Sequence, residues 1–190
     1  MLAIRNPPGA EDFAIYPEKD ANGVPAIKTA FVTCLRERYG WTGEFRYKIE
    51  GQLAKGPVDV ARRVEPLDRM FAVEWETGNI SSSHRALSKM ALGIRDDILC
   101  GGILVLPSRR LYDFPTDRIG NYREVEPYFD IWRHCDVAKR GILAVLEIEH
   151  DREDVAAPRL TKGTDGYALF ARSKRASATR KANAKPKKKR

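Results

Sequence analysis

Residues 57–90 read PVDVARRVEPLDRMFAVEWETGNISSSHRALSKM, and two changes of period inside this stretch decide the fold class. From Phe71 to Glu76 the side chains alternate: Phe71, Val73 and Trp75 go to one face, and Ala72, Glu74 and Glu76 to the other. That is a half-buried strand. Upstream, Val58 and Val60 bracket Asp59 with the same period, and the turn residues around Pro66 separate the two runs, so a hairpin is expected. Downstream the period lengthens. Ile80, His84, Leu87, Ala91 and Ile94 fall on one stripe, which predicts an amphipathic helix opening near Ser81–Ser83.

Outward from this stretch, Ile27, Ala30, Phe31, Cys34 and Leu35 fit one face of a helix ending near Gly40. Phe45, Tyr47 and Ile49 alternate with charged residues as a strand. The apolar run GGILVLP (101–107) reads as a buried strand, residues 121–134 as a helix, and GILAVLEIEH (141–150) as a last strand. The first 25 residues are punctuated by Pro and Gly and read as an irregular lead-in. The order is helix, three strands, helix, strand, helix, strand: an α/β fold, a central mixed sheet flanked by helices.

Charge divides the chain. Residues 172–190 hold ten Lys or Arg and no acid, which leaves 24 basic and 26 acidic side chains in residues 1–171, a net charge of −2. A single folded domain over 1–171 with a basic tail is expected. The Ala/Ser/Lys/Arg composition of the tail suits a disordered arm for a polyanion. No apolar run approaches the ~20 residues of a membrane span, and the N-terminus lacks a signal-peptide pattern, so a cytoplasmic protein is expected. Cys34, Cys100 and Cys135 are odd in number and unpaired in spacing, which argues for buried free thiols rather than a disulfide or zinc framework.

Glu74 and Glu76 share a face at roughly 6–7 Å, and a hairpin brings Asp59 towards them. Like charges ~4 Å apart repel by about 4 kcal/mol at an effective dielectric of ~20, so three acids against an apolar sheet call for a divalent cation. The competing reading is a solvated sheet face on which the acids pair with Arg62, Arg63 or Arg69.

With AVEWETGNISSSHRALSKM the sequence resembles the restriction endonucleases of the BamHI and BglII type, within the PD-(D/E)xK nuclease superfamily. The resemblance runs from about Pro57 to Glu149 and includes PVDV, VEWETGN, GGILVLPSRR and TDRIGNYREVEPYF. It implies a restriction-endonuclease-like core and Mg²⁺-dependent cleavage of double-stranded DNA. Asp59 and Glu74 take the place of the metal-binding acids. Glu76 stands where most of the superfamily has Lys, and there helps hold metal and orient the attacking water. Asp68 is a rival to Asp59, and Glu37 or Glu50 is a candidate fourth acid. Asn79, Ser81 and Arg85 resemble base-contacting positions. Ser81, Arg85 and Lys89 also lie four apart, as a polar stripe. Asp117 and Arg118 resemble a second recognition loop, and Arg109 and Arg110 suit phosphate contact. A capping role for Asn79 or Ser81 and a surface ion pair for Asp117 and Arg118 are the plain alternatives.

The whole predicts a homodimeric type II restriction endonuclease acting on a short palindromic site; the resemblance points to a GATC-like core and leaves open whether a cognate methyltransferase accompanies it. A repair or junction-resolving nuclease and a DNA-binding protein that does not cut are the rival readings.

Overall fold

The computed structural model describes residues 4–49, 56–115, 119–135 and 137–162. Alternation from Arg69 to Trp75 produces a strand, β4, at the centre of a five-stranded sheet. Before it come β1 (Ala14–Ile15), helix α1 (Val24–Tyr39), β2 (Thr42–Phe45) and β3 (Val58–Val64). After it come helix α2 (Ile80–Arg95), β5 (Leu99–Pro107), the short helices α3 (Arg109–Tyr112), α4 (Tyr122–Val125), α5 (Phe129–Arg133) and α6 (Val137–Arg140), then β6 (Ile142–Ile148) and β7 (Arg152–Glu153).

The large sheet has the order β2-β3-β4-β5-β6. A tight turn joins β3 to β4, so they pair antiparallel; α2 crosses between β4 and β5, so they pair parallel, as do β5 and β6. Asp68 closes the β3–β4 turn in the left-handed region, φ 50°. The mixed sheet flanked by helices is the α/β core that the resemblance implied.

Each face of the sheet carries its own core. Ala86, Leu87, Met90 and Ile94 of α2 pack on Ala61, Ala72, Leu104 and Leu106. On the other face Ile27 of α1, with Phe31 and Leu35 partly buried, packs on Val60, Val73, Trp75 and Val105. α2 approaches the sheet closely at Gly102, where an added Cβ would lie 2.6 Å from Met90 Sδ and 3.0 Å from Met90 Cβ.

Four expectations need correction. The first strand lies at Thr42–Phe45 rather than through Tyr47 and Ile49: Tyr47 leaves the sheet, stacks on Phe45 and donates its hydroxyl to the Lys89 carbonyl at 2.9 Å. The helix expected over 121–134 is broken into α4, a 3-10 turn and α5, because Pro127 has no N–H to continue it. The lead-in is packed: Phe13 and Ile15 are buried in the second core, and β1 pairs parallel with β7. Val58 and Val60, which alternation assigns to one face, enter different cores. Gly40 does terminate α1, at φ 68°. The three cysteines are free, though only Cys100 is fully buried. Among the described residues no helix is long and apolar enough to cross a membrane. The basic tail lies outside the described residues.

Gly102→Val should destabilise the protein by about 1–3 kcal/mol, since the Met90 side chain, fully buried and met from its Cβ outward, has little room to give way in a close-packed layer. Urea unfolding should show a lower midpoint at unchanged slope, and a stability equal to wild type would disprove the tight contact.

Candidate active site

Pairing between β3 and β4 runs from Val64↔Arg69 to Val60↔Val73 and stops there. Beyond that point β4 remains paired with β5, at Trp75↔Val105, while β3 departs. Two amides that the ladder would have satisfied find carboxylates instead. Trp75 N–H donates to Asp59 Oδ2 at 2.7 Å, and Asp59 N–H donates to Glu74 Oε2 at 3.0 Å. Each acid thus reaches across the gap to the backbone of the other strand.

A lysine completes each half. Lys28 of α1 places Nζ 2.7 Å from Asp59 Oδ1 and 3.2 Å from the Trp75 carbonyl oxygen. Lys89 of α2 donates to the Pro57 carbonyl at 2.9 Å and lies 3.3 Å from Glu74 Oε1. Burial raises the Glu74 carboxyl above its ordinary range; Lys89 opposes this and the Asp59 charge adds to it. Burial, and secondarily the Glu74 charge, also raise the Tyr47 phenol.

Glu76 turns back on its own strand end: Oε1 accepts from Gly78 N–H at 2.6 Å. A Cβ at Gly78 would lie 2.8 Å from Ser82 Oγ and 2.9 Å from Glu76 Oε1, so a side chain there would have to displace one of them. Glu74 and Glu76 line one cleft with Pro57, Ser82, Arg85 and Lys89. Asp59 lines a second depression with Lys28, Arg36, Glu44 and Thr77. Glu74 and Asp59 are therefore brought together, but the three acids do not converge on one point. Among the described residues no group of three or more His, Cys, Asp or Glu is arranged to hold a metal ion. The donor set nevertheless suits one. Asp59 Oδ1 and the Trp75 carbonyl already converge on a cation, the Lys28 ammonium, and both are hard oxygen donors of the kind Mg²⁺ takes.

The rival acids separate clearly. Asp68 sits at the hairpin turn, its side chain 81% exposed and paired with Arg63. Glu37 is exposed on the last turns of α1, and Glu50 lies outside the described residues. Sequence reasoning missed Lys28 and Glu44. Glu44 lies opposite Asp59, between the pairs Gly43↔Val60 and Phe45↔Val58, with a left-handed φ of 48° that is uncommon for a residue with a side chain. No periodicity marks either residue.

Among the expected DNA contacts, Asn79 caps α2, its side chain accepting from Ser82 N–H at 3.3 Å. Ser81 and Arg85 are exposed, and Arg85 donates to Ser82 Oγ at 3.0 Å. Lys89 departs from the expected polar stripe: it is 9% exposed, because Pro57 and Glu74 cover that part of the helix face. His84 is half-buried, edge-on to the Tyr128 ring. Arg109 pairs with Asp113 and stacks over Tyr112; Arg110 pairs with Glu149 and Glu153. Asp117 and Arg118 lie outside the described residues.

Residues 1–167 match the family of restriction endonuclease BamHI. The chain belongs to the BamHI restriction endonuclease family. One relative is the type II restriction enzyme OkrAI of Oceanobacter kriegii, 44% identical over 163 residues that cover 86% of this chain and 82% of the relative. Another is the type II restriction enzyme BamHI of Bacillus amyloliquefaciens, 37% identical over 155 residues, covering 80% of this chain and 70% of the relative. Within this BamHI-family chain the crossed carboxylates occupy the end of the sheet from which α2 springs.

Lys89→Met should cost about 3–5 kcal/mol of stability, because it leaves the Glu74 carboxylate buried without its cation. Adding Glu74→Gln to the same chain should restore a large part of that loss. Denaturant titration of the single and double variants measures it, and additive losses would show that the pair is not coupled.

Proposed function

We propose that this BamHI-family protein, a site-specific deoxyribonuclease, is a Mg²⁺-dependent type II restriction endonuclease that cleaves double-stranded DNA at a short palindromic site. The observation that carries the reading is the crossed pair Asp59 and Glu74 at the opening between β3 and β4, one turn of chain before a helix start that carries Asn79, Ser81 and Arg85. Asp59 and Glu74 would hold Mg²⁺, with the carbonyl of Trp75 beside them. When bound, the ion stabilises the charge that develops on the scissile phosphate and increases the acidity of the attacking water.

The chain's own residues do the rest. Glu76 accepts from Gly78 with one oxygen, which fixes the carboxylate at the mouth of the Glu74 cleft, where it orients water. Lys89 compensates the buried Glu74 and keeps that strand end in place. Arg85, exposed on the rim of the same cleft, reads a base edge, with guanine the natural partner of a guanidinium. Asn79 caps the helix with its carbonyl oxygen, and its amide N–H₂ remains the donor for a base. Arg109 and Arg110 are held by acids at present, and would contact phosphate by exchanging those partners.

A palindrome presents the same sequence on both strands, so a two-fold symmetric homodimer with one cut per subunit matches it. A methyltransferase of the same specificity would protect the host DNA, and both would work in the cytoplasm. The primary test is incubation with mixed plasmid DNA and Mg²⁺. Discrete fragments, with sites of a GATC-like core, are expected; a smear would favour a structure-reading nuclease, and intact DNA a protein that binds without cutting.

Asp59→Ala and Glu74→Ala should abolish cleavage and leave DNA binding intact or tighter, since each removes a carboxylate that repels phosphate. Normal cutting by both variants would mean that the site is elsewhere. Arg85→Ala should lose about 1–3 kcal/mol of discrimination between cognate and mismatched duplexes; a uniform loss on all sequences would mark a phosphate contact. Deleting residues 172–190 should weaken non-specific binding and flatten its salt dependence, by about 0.9 in slope per lost phosphate contact, without moving the cut. An unchanged slope would assign the tail another task.

A further inference from the structure

The two lysines of the site are held in different ways. Lys89 is 9% exposed, and its ammonium is enclosed between the Pro57 carbonyl and Glu74 Oε1, so its charge is built into the fold. Lys28 has a side chain 30% exposed, rises from the second turn of α1 and opens onto the depression shared with Arg36, Glu44 and Thr77. A side chain exposed to that degree has a route from the site into solvent.

Asp59 has one oxygen to offer. Oδ2 is committed to the Trp75 amide at 2.7 Å, where it stands in for the missing ladder, and Oδ1 faces Lys28 Nζ at 2.7 Å. The second acceptor of Lys28 is the Trp75 carbonyl at 3.2 Å. The ammonium therefore sits on a carboxylate oxygen and a backbone oxygen together, the donor types a divalent cation takes from a protein. A divalent ion and an ammonium compete for these oxygens, because two cations in contact repel and Oδ2 stays committed to the Trp75 amide.

We propose that Lys28 is an internal placeholder: it satisfies Asp59 and the Trp75 carbonyl while the protein lacks metal, and yields that position when a divalent cation binds. This rests on the reading of Asp59 as a metal-holding residue. Lys28 then acts as a positioning residue. It keeps Asp59 in the rotamer that holds β3 and β4 together, and it sets the metal affinity by competition. Its contacts stabilise the metal-free protein and are absent from the metal-bound one.

Thermal unfolding of the full chain, with chelator or with saturating Ca²⁺ as the probe, tests this for wild type, Lys28→Met and Lys28→Gln; the glutamine keeps a neutral donor for the Trp75 carbonyl. With chelator both variants should unfold at lower temperature than wild type. In Ca²⁺ the three should converge, so the variants gain the larger calcium-induced shift. Calorimetric titration should find Ca²⁺ binding to Lys28→Met about tenfold tighter, equivalent to about 1.4 kcal/mol of released competition. An equal shift in wild type and variants, or weaker calcium binding by Lys28→Met, overturns the proposal. So does a variant that stays less stable than wild type by the same margin in calcium and in chelator, because Lys28 would then keep its partners in both states. Asp59→Ala separates the two levels. If it cleaves DNA normally, the assignment of the site fails; if it is inactive while wild type and Lys28→Met respond equally to calcium, only the placeholder fails.

Discussion

Beyond Val60↔Val73 the backbone ladder between β3 and β4 ends, although β4 continues beside β5. The N–H groups of Asp59 and Trp75 point into that gap, and a buried amide without a partner costs about 1–3 kcal/mol. Asp59 and Glu74 close it by accepting these two bonds across the strands. Anionic acceptors make stronger bonds than carbonyls do, so the repair is at least as firm as the ladder it replaces. It also fixes two carboxylates beside each other in a partly dry place. The parting of two strands thus creates the candidate active site and pins Asp59 and Glu74 in the same act.

Those acids require cations, and the layers above and below the sheet provide them. Lys28 comes from α1 on one face and Lys89 from α2 on the other. Each lysine also takes a carbonyl that the parted strands left over, Trp75 for Lys28 and Pro57 for Lys89. The result is a cross-brace in which both carboxylates, the Asp59 and Trp75 amides and the Trp75 and Pro57 carbonyls all have protein partners. It follows that neither carboxylate is a bare charge in wait of an ion. Metal binding as proposed here would be an exchange of partners, and its strength a difference between two satisfied states.

Periodicity was enough for much of this. The alternation around Glu74 identified β4, the apolar stripe to Ile94 identified α2, and together they implied the parallel β4–α2–β5 unit, since a helix between strands requires a crossover. The acids Asp59 and Glu74 were legible because each interrupts an apolar alternation. What the period could not carry is any change of direction or of burial along an element. Val58 and Val60 separate into two cores because β3 leaves its partner between them, an event with no local signature. Ser81, Arg85 and Lys89 do share a helix face, but Pro57 arrives from a distant strand to cover its last member. Lys28 follows Ile27 as one more charged residue on a helix of weak amphipathicity, and only the tertiary fold brings it to Asp59. The break at Pro127 was available locally, since proline lacks the N–H that a continuous helix would need there.

The connection from Glu76 to Asn79 joins the chemical end of the sheet to the helix expected to read DNA, and its hydrogen bonds run in both directions. Gly78 N–H donates to the Glu76 carboxylate at 2.6 Å, while the Gly78 carbonyl accepts from Gly120 N–H at 2.9 Å. Gly120 packs so closely on α2 that a Cβ there would lie 2.5 Å from Ser83 Oγ. One peptide unit on each side of Gly78 therefore links Glu76, the cap of α2 and the chain that follows Arg118. A base contact that moved either Asn79 or the Gly120 segment would alter the Gly78 amide, and the Glu76 carboxylate with it. A side chain at Gly78 would crowd both Ser82 Oγ of α2 and the Glu76 carboxylate, the two groups that the connection now brings together.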